Sequence, residues 1–338
     1  MTVAPPQQAD ADRARLIAPG EPPAGAWEIA SRHRDDPTGF ASPADFTLGA
    51  EARLAEGSVY TLDPFTGAVH LVDVPYSALA GEPFAYATQA EGATVLATRP
   101  YSGLMAATRP VTGLFSIGRC GSTLLARILT AAGAQVLSEL DAFTTLGHVS
   151  RRWPSDAVVQ AKLTAMAHGV LGHIARGTPA GPLVLKFRSQ AMQAAQAICE
   201  AGVRPVLLTR CFDDWARSTA RHFPDDPVEG RIDALQRGIE DMAALPERPV
   251  ILDYDRLLAD PVAAAEACIG PIQRDRHDSI RACLNDHSQR GTALAEPQAS
   301  VSDDDIQRAR DLWARQANPR SLKRLGLDHD LTLLTERA

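Results

Sequence analysis

Apolar residues along the chain fall into a repeating rhythm from about residue 110 onward. The run Leu114 to Ile117 breaks on Gly118, and Leu124, Leu125, Ile128 and Leu129 then recur at helical spacing as far as Gly133. This predicts a short strand, a tight turn and a helix. The rhythm returns in AQVLSELDAFTTL (134–146), in PLVLKFRS (182–189), in VLLTRCFDDWARSTARH (206–222) and in VILDYDRLLADPVAAAEACIG (250–270). Amphipathic stretches lie between them: RRWPSDAVVQAKLTAMAHGVLGHIARG (151–177) reads as a helix followed by a loop, and VEGRIDALQRGIEDMAALP (228–246) as a helix. A last helix over 302–317 has a serine cap, acids in its first turn and an apolar stripe through Ile306, Ala309 and Trp313. Strands alternating with helices predict an α/β fold, a parallel sheet with helices on both faces, over residues 111–338.

The first third of the chain reads differently. Residues 1–25 carry too little apolar content to pack, which predicts a flexible tail. From 26 to 110 the pattern becomes short alternating segments, SVYTLD, AVHLVDV, FAYATQ and ATVLATR, with Thr66-Gly67 placed for a hairpin between the first two. A small β-rich N-terminal unit is expected, either shaping the main domain's pocket or padding its sheet.

Composition narrows the function classes. In 338 residues, 45% are hydrophobic, enough for a sizeable core, and 34 basic against 41 acidic residues give a formal charge of −7. Such a balance offers no broad basic surface to nucleic acid or to a membrane. The five cysteines show no paired or metal-type spacing, and no apolar run is long enough to span a bilayer. The expectation is a cytoplasmic protein with reduced thiols, with homo-oligomers left open.

Candidate chemistry begins at the turn. A strand that breaks on glycine and restarts as a helix leaves the first helical N–H groups aimed at one spot, with the positive end of the dipole behind them. Around that spot Gly118, Cys120 and Gly121 supply backbone, Ser122 and Thr123 supply hydroxyls, and Arg119 supplies a permanent fork-shaped cation. The ATP-binding loop GxxxxGK[ST] needs a lysine where Ser122 stands, so an ordinary magnesium-ATP hydrolase is disfavoured. Downstream, Arg210 ends a strand, and Ser218, eight residues later, sits in a helix that Asp213 is placed to cap. This pair can reach a second anion.

These segments resemble those of the PAPS-dependent sulfotransferases. GRCGST looks like the loop with which that family holds the 5′-phosphosulfate, Arg210 with Ser218 has the spacing of its 3′-phosphate site, and VILDYDRLLADP looks like its strand, Tyr-Asp/Glu, Leu-Leu and Asp-Pro segment. The resemblance covers about Leu114 to Gly270. It implies a three-layer sheet of the P-loop type, PAPS as co-substrate with PAP as product, and no metal.

It implies roles as well. Arg119 would neutralise the transferring group in place of the family's lysine. The histidine that many cytosolic members use as base is replaced by Arg188, two residues after Lys186. Glu139, twenty residues after Arg119, matches the glutamate of members that sulfate tyrosines and polysaccharides, and is the expected base, with Asp141 a weaker substitute. Lys186 and Arg188 are expected to contact the sulfuryl oxygens or an acidic acceptor. Arg290, before Gly291, is the candidate from the family's segment over the adenine and 3′-phosphate. Trp153 is a candidate for the acceptor wall or for packing. The acceptor is expected to be a small molecule. A non-catalytic nucleotide-binding protein and a phosphoryl-transfer enzyme on the same fold remain the alternatives.

Overall fold

The computed structural model describes residues 6–18, 25–29, 46–48, 57–104, 109–285 and 300–327. Ten strands form two sheets: β1 (Gly25–Ile29), β2 (Phe46–Leu48), β3 (Gly57–Asp63), β4 (Ala68–Pro75), β5 (Val95–Pro100), β6 (Val111–Ser116), β7 (Gln135–Ser138), β8 (Leu183–Lys186), β9 (Val203–Thr209) and β10 (Val250–Asp253). The last five make a parallel sheet in the order β10-β9-β6-β8-β7. Every residue of β6 and of β8 is buried, which is the signature of a parallel sheet covered on both faces. Helices Ser122–Ala131, Pro261–Ile269 and His277–Ala282 pack against one another as one layer, while Val228–Ala244 packs with Asp303–Gln316 and Pro319–Leu325 in another.

This order decides where a ligand can sit. β8 and β9 flank β6 on opposite sides, so successive connections leave β6 in different directions and open a crevice at its carboxyl end. Register aligns the strand ends around that crevice: Ser138 and Leu114 both pair with Lys186, Ser116 pairs with Leu208, and Thr209 with Asp253. Beneath it, Phe187 packs on Phe115 and Phe143 at centroid distances of 4.7 and 4.9 Å.

The other sheet is antiparallel, in the order β2-β1-β5-β4-β3, and the hairpin turn between β3 and β4 uses Gly67 at φ 67°. It docks beside β7: the Gly81 N–H donates to the Val136 carbonyl, and β3 sends Thr61 Oγ1 to Asp141 Oδ2 at 2.9 Å. The joint is closed by Tyr76, whose hydroxyl meets His173 Nδ1 at 3.0 Å and accepts from the Val59 N–H. A Cβ on Gly177 would lie 2.5 Å from the Tyr76 ring, so that approach requires glycine.

Three expectations are corrected. Residues expected in a flexible tail include a helix, Pro6–Ile17, whose Leu16 is fully buried and whose Arg13 is ion-paired with Asp156. FAYATQ, read as a strand segment, lies at the head of helix Ala85–Gly92: its buried residues Ala85 and Gln89 are four apart, the helical period rather than the strand one. The helix over 151–177 does not give way to a loop but runs unbroken from Ala157 to Gly177, capped by the Asp156 side chain.

Candidate functional site

The turn between β6 and helix Ser122–Ala131 is built on left-handed residues: Gly118 at φ 77°, Arg119 at φ 53° and Gly121 at φ 89°. The N-cap position is Gly121, which has no side chain to offer, so the helix starts without a cap of its own. Gly121 is demanded by more than its φ, because a Cβ there would fall 2.3 Å from the Tyr254 ring, whereas Gly118 faces open space.

Arg119 turns toward helix Phe212–His222. Its Nε donates to Ser218 Oγ at 3.2 Å and its Nη2 to His222 Nε2 at 3.0 Å. His222 Nδ1 lies 2.9 Å from the Ser218 carbonyl, which assigns the ring proton to Nδ1 and the lone pair to Nε2. Two residues assigned by resemblance to opposite ends of one ligand therefore touch. Arg210 Nη1 donates to the Arg119 carbonyl at 3.4 Å, and its guanidinium lies 4.6 Å over the Tyr254 ring. Arg210 Nε is buried without a hydrogen-bond acceptor among the described residues, and Asp214 approaches it only to 3.9 Å. Burial, then the neighbouring charge of Arg210, presses the Arg119 guanidinium below its ordinary pKa.

Cys120 does not share in this. Its side chain is fully buried, its thiol donates to the Leu208 carbonyl at 3.3 Å, and burial pushes the thiol up to about 11. Asp213 caps nothing, being engaged by Arg310 while helix Phe212–His222 begins without a side-chain cap.

The second cluster stands at the ends of β7 and β8. Lys186 is only 2% exposed and its Nζ meets Glu139 Oε1 at 2.5 Å. Arg188 Nε reaches Glu139 Oε2 at 3.4 Å, and its Nη1 lies 3.7 Å from Asp141 Oδ1. Glu139 is held at φ 61°; with Arg119 it is one of two non-glycine residues at positive φ among those described. Residues of the antiparallel unit complete this end: the Arg188 guanidinium stacks 4.0 Å over the Tyr86 ring, and the Lys186 ammonium lies 5.6 Å from the Phe84 centroid.

Both clusters line one cavity of about 1760 Å³, with Gly118, Arg119, Gly121, Ser122, Thr123, Glu139, Lys186, Arg188, Arg210 and Ser218 all on its wall. That exceeds the roughly 300–1,000 Å³ of a single small-molecule site and leaves room for two ligands. The chain matches no protein-family model and no curated protein. The site must therefore be read from its own geometry.

Arg290 lies outside the described residues. Trp153 is not on the cavity wall; it packs between the Arg152 guanidinium at 4.6 Å and the edge of Phe65. Among the wall residues given no role in the sequence reading are His222, Tyr254, Phe84 and Tyr86. His222 carried a usable signal, four residues after Ser218 and so on the same helix face. Tyr254 follows β10 directly and so falls at the strand ends. Phe84 and Tyr86 carried none, because only the docking of the two sheets brings them to Lys186 and Arg188.

Proposed function

We propose that the protein is a sulfotransferase that moves a sulfuryl group from PAPS to a hydroxyl or amine of a small-molecule acceptor. The observation that carries this reading is the convergence of Arg119 and Arg210 on one glycine turn at the start of helix Ser122–Ala131, with Asp214, 3.9 Å from Arg210 Nε, the one carboxylate paired with either among the described residues. Two like charges at one turn, one with a buried nitrogen lacking an acceptor, call for an anionic ligand. The open face at Gly118 and the hydroxyls of Ser122, Thr123 and Ser218 suit a ligand with phosphate groups at both ends.

In the transfer, the acceptor oxygen or nitrogen forms a bond to sulfur as the sulfur–oxygen bond to the 5′-phosphate breaks, and PAP leaves. Arg119 and the loop N–H groups hold the charge that gathers on the departing phosphate; a guanidinium stabilises it without giving up a proton. Glu139 takes the acceptor proton. Lys186 and Arg188 occupy one site on each of its oxygens, and a carboxylate offers about four lone-pair sites, so an acceptor hydroxyl still finds one free.

A second reading, a nucleotide-binding protein without catalysis, is favoured by that same double engagement of Glu139. Calorimetric titration with PAP, ADP and magnesium-ATP tests both. We expect PAP to bind in preference to ADP, and Arg210→Ala to weaken PAP by about 10–100-fold, the scale of one or two charged hydrogen bonds. Preference for magnesium-ATP would overturn the sulfotransferase assignment, and PAP binding without turnover of PAPS by any acceptor would leave the binding protein.

A further inference from the structure

Helix Val228–Ala244 forms a wall of the same cavity through Gly230, Arg231, Ala234 and Arg237. At about 100° per residue, Gly230 and Ala234 make a floor of small side chains with Arg231 on one flank and Arg237 on the other. The floor is open at Gly230, where a Cβ would meet nothing within 4 Å. One nitrogen of each guanidinium, Nη1 of Arg231 and Nε of Arg237, is buried with no hydrogen-bond partner among the described residues, and so is Gln193 Oε1 on the same cavity wall. Gly238 of this helix lies against Met192, in the turn Ser189–Ala194 that directly follows Arg188. Its Gly238 end therefore lies toward Glu139, while Arg231, with Asp226 beside it, stands toward helix Phe212–His222.

Acids stand around this pair, but among the described residues none bonds to either unpartnered nitrogen. Around Arg231 stand Asp226, Glu229 and Asp305; Glu229 is held by Arg308 and Asp305 by the cap of Ser302, which leaves Asp226. Asp233 also lines the cavity. Beside Arg237 stands Asp241, whose carboxyl is pushed up to about 7 by burial and by Glu240. Buried guanidinium nitrogens without acceptors are costly, and an oxyanion lying over the small-residue floor would satisfy both.

We propose that the acceptor is an anionic small molecule whose carboxylate, sulfate or phosphate group lies between Arg231 and Arg237 while its hydroxyl or amine meets Glu139. The inference rests on the sulfotransferase reading above. It is tested on the full chain saturated with PAP, using sodium selenate as the probe oxyanion. In crystals soaked with selenate, an anomalous selenium peak between Arg231 and Arg237 is expected. A peak confined to the Arg119 loop, or none, with PAP in place at Arg210, overturns the acceptor site alone; absence of PAP from Arg210 overturns the sulfotransferase reading instead. In solution, the Arg231→Gln/Arg237→Gln variant, shown folded by its melting curve, should bind selenate about tenfold more weakly with PAP affinity unchanged, the scale of a lost charged hydrogen bond. Wild-type selenate affinity in that variant also overturns the proposal.

Discussion

The two ends of the cavity hold similar residues in opposite states. At the loop end, the Arg119 guanidinium bonds the neutral Ser218 and His222, while Arg210 bonds the Arg119 carbonyl and is paired only loosely with Asp214 at 3.9 Å. At the other end, Lys186 and Arg188 are closed onto Glu139 and Asp141, and Thr61 of the antiparallel sheet holds Asp141 in turn. Cations weakly paired suit a ligand, whereas cations already paired position a group of the protein itself. In the proposed reaction, that contrast separates binding at one end from proton handling at the other.

Glu139→Gln is the hardest test of the division. Turnover should fall by about 10²–10⁴-fold, the usual worth of a positioned base, while PAP affinity measured by calorimetry stays unchanged. Because Lys186 is almost fully buried, the same substitution should also lower stability by about 1.5–3 kcal/mol. Adding Lys186→Met should restore the melting temperature but not turnover. If turnover returns with stability, Glu139 is structural and the contrast fails.

Arg119→Ala probes the opposite end. A fall of about 10²–10³-fold in turnover is expected from losing one preorganised charge donor. Unchanged turnover would remove Arg119 from the reaction and leave it a tether for Ser218 and His222.

A smaller effect should come from helix Ala85–Gly92 of the N-terminal unit. Tyr86→Ala removes the ring beneath Arg188, a cation–π contact worth about 0.5–1 kcal/mol, so turnover should drop by about two- to fivefold. Tyr86→Phe should behave as wild type. An effect on PAP affinity instead would place Tyr86 at the wrong end.

The last effect concerns the joint that holds the antiparallel sheet in place. Burial lowers His173 from 6.5 to about 4, so as pH falls through this window the unfolded chain takes up a proton that the folded chain refuses. Stability contributed by the neutral ring is complete above pH 6.5 and lost on the way down to about 4. Melting curves across this range should show that slope in the wild type and a flatter one in His173→Gln.

Much of the architecture was legible in the chain because local physics decides it. Apolar runs that end in glycine or a polar residue became β6 to β10, the Ser302 cap and the stripe of Ile306, Ala309 and Trp313 became a buried helix face, and Asp260-Pro261 began a helix with its own carboxylate as cap. The two residues at positive φ, Arg119 and Glu139, are the loop cation and the glutamate twenty residues after it that the sulfotransferase resemblance points to. The errors arose where a local pattern was too short to outweigh its neighbours: Pro6–Ile17 holds its place through Leu16 and the ion pair with Asp156, contacts more than a hundred residues away in sequence.

The sequence by itself determined the order of strands and helices, the glycine turn with its arginine, and the spacing of Arg210 to Ser218, since each depends on neighbours within a few residues. Tertiary structure alone decided which charges stay unpaired. Whether Arg119 meets a carboxylate or neutral side chains, whether Glu139 is reached by one cation or two, and which rings of the N-terminal unit lie under Lys186 and Arg188 depend on strand order and sheet docking. Electrostatic partnership is a matter of a few ångströms in space, and separation along the chain does not encode it.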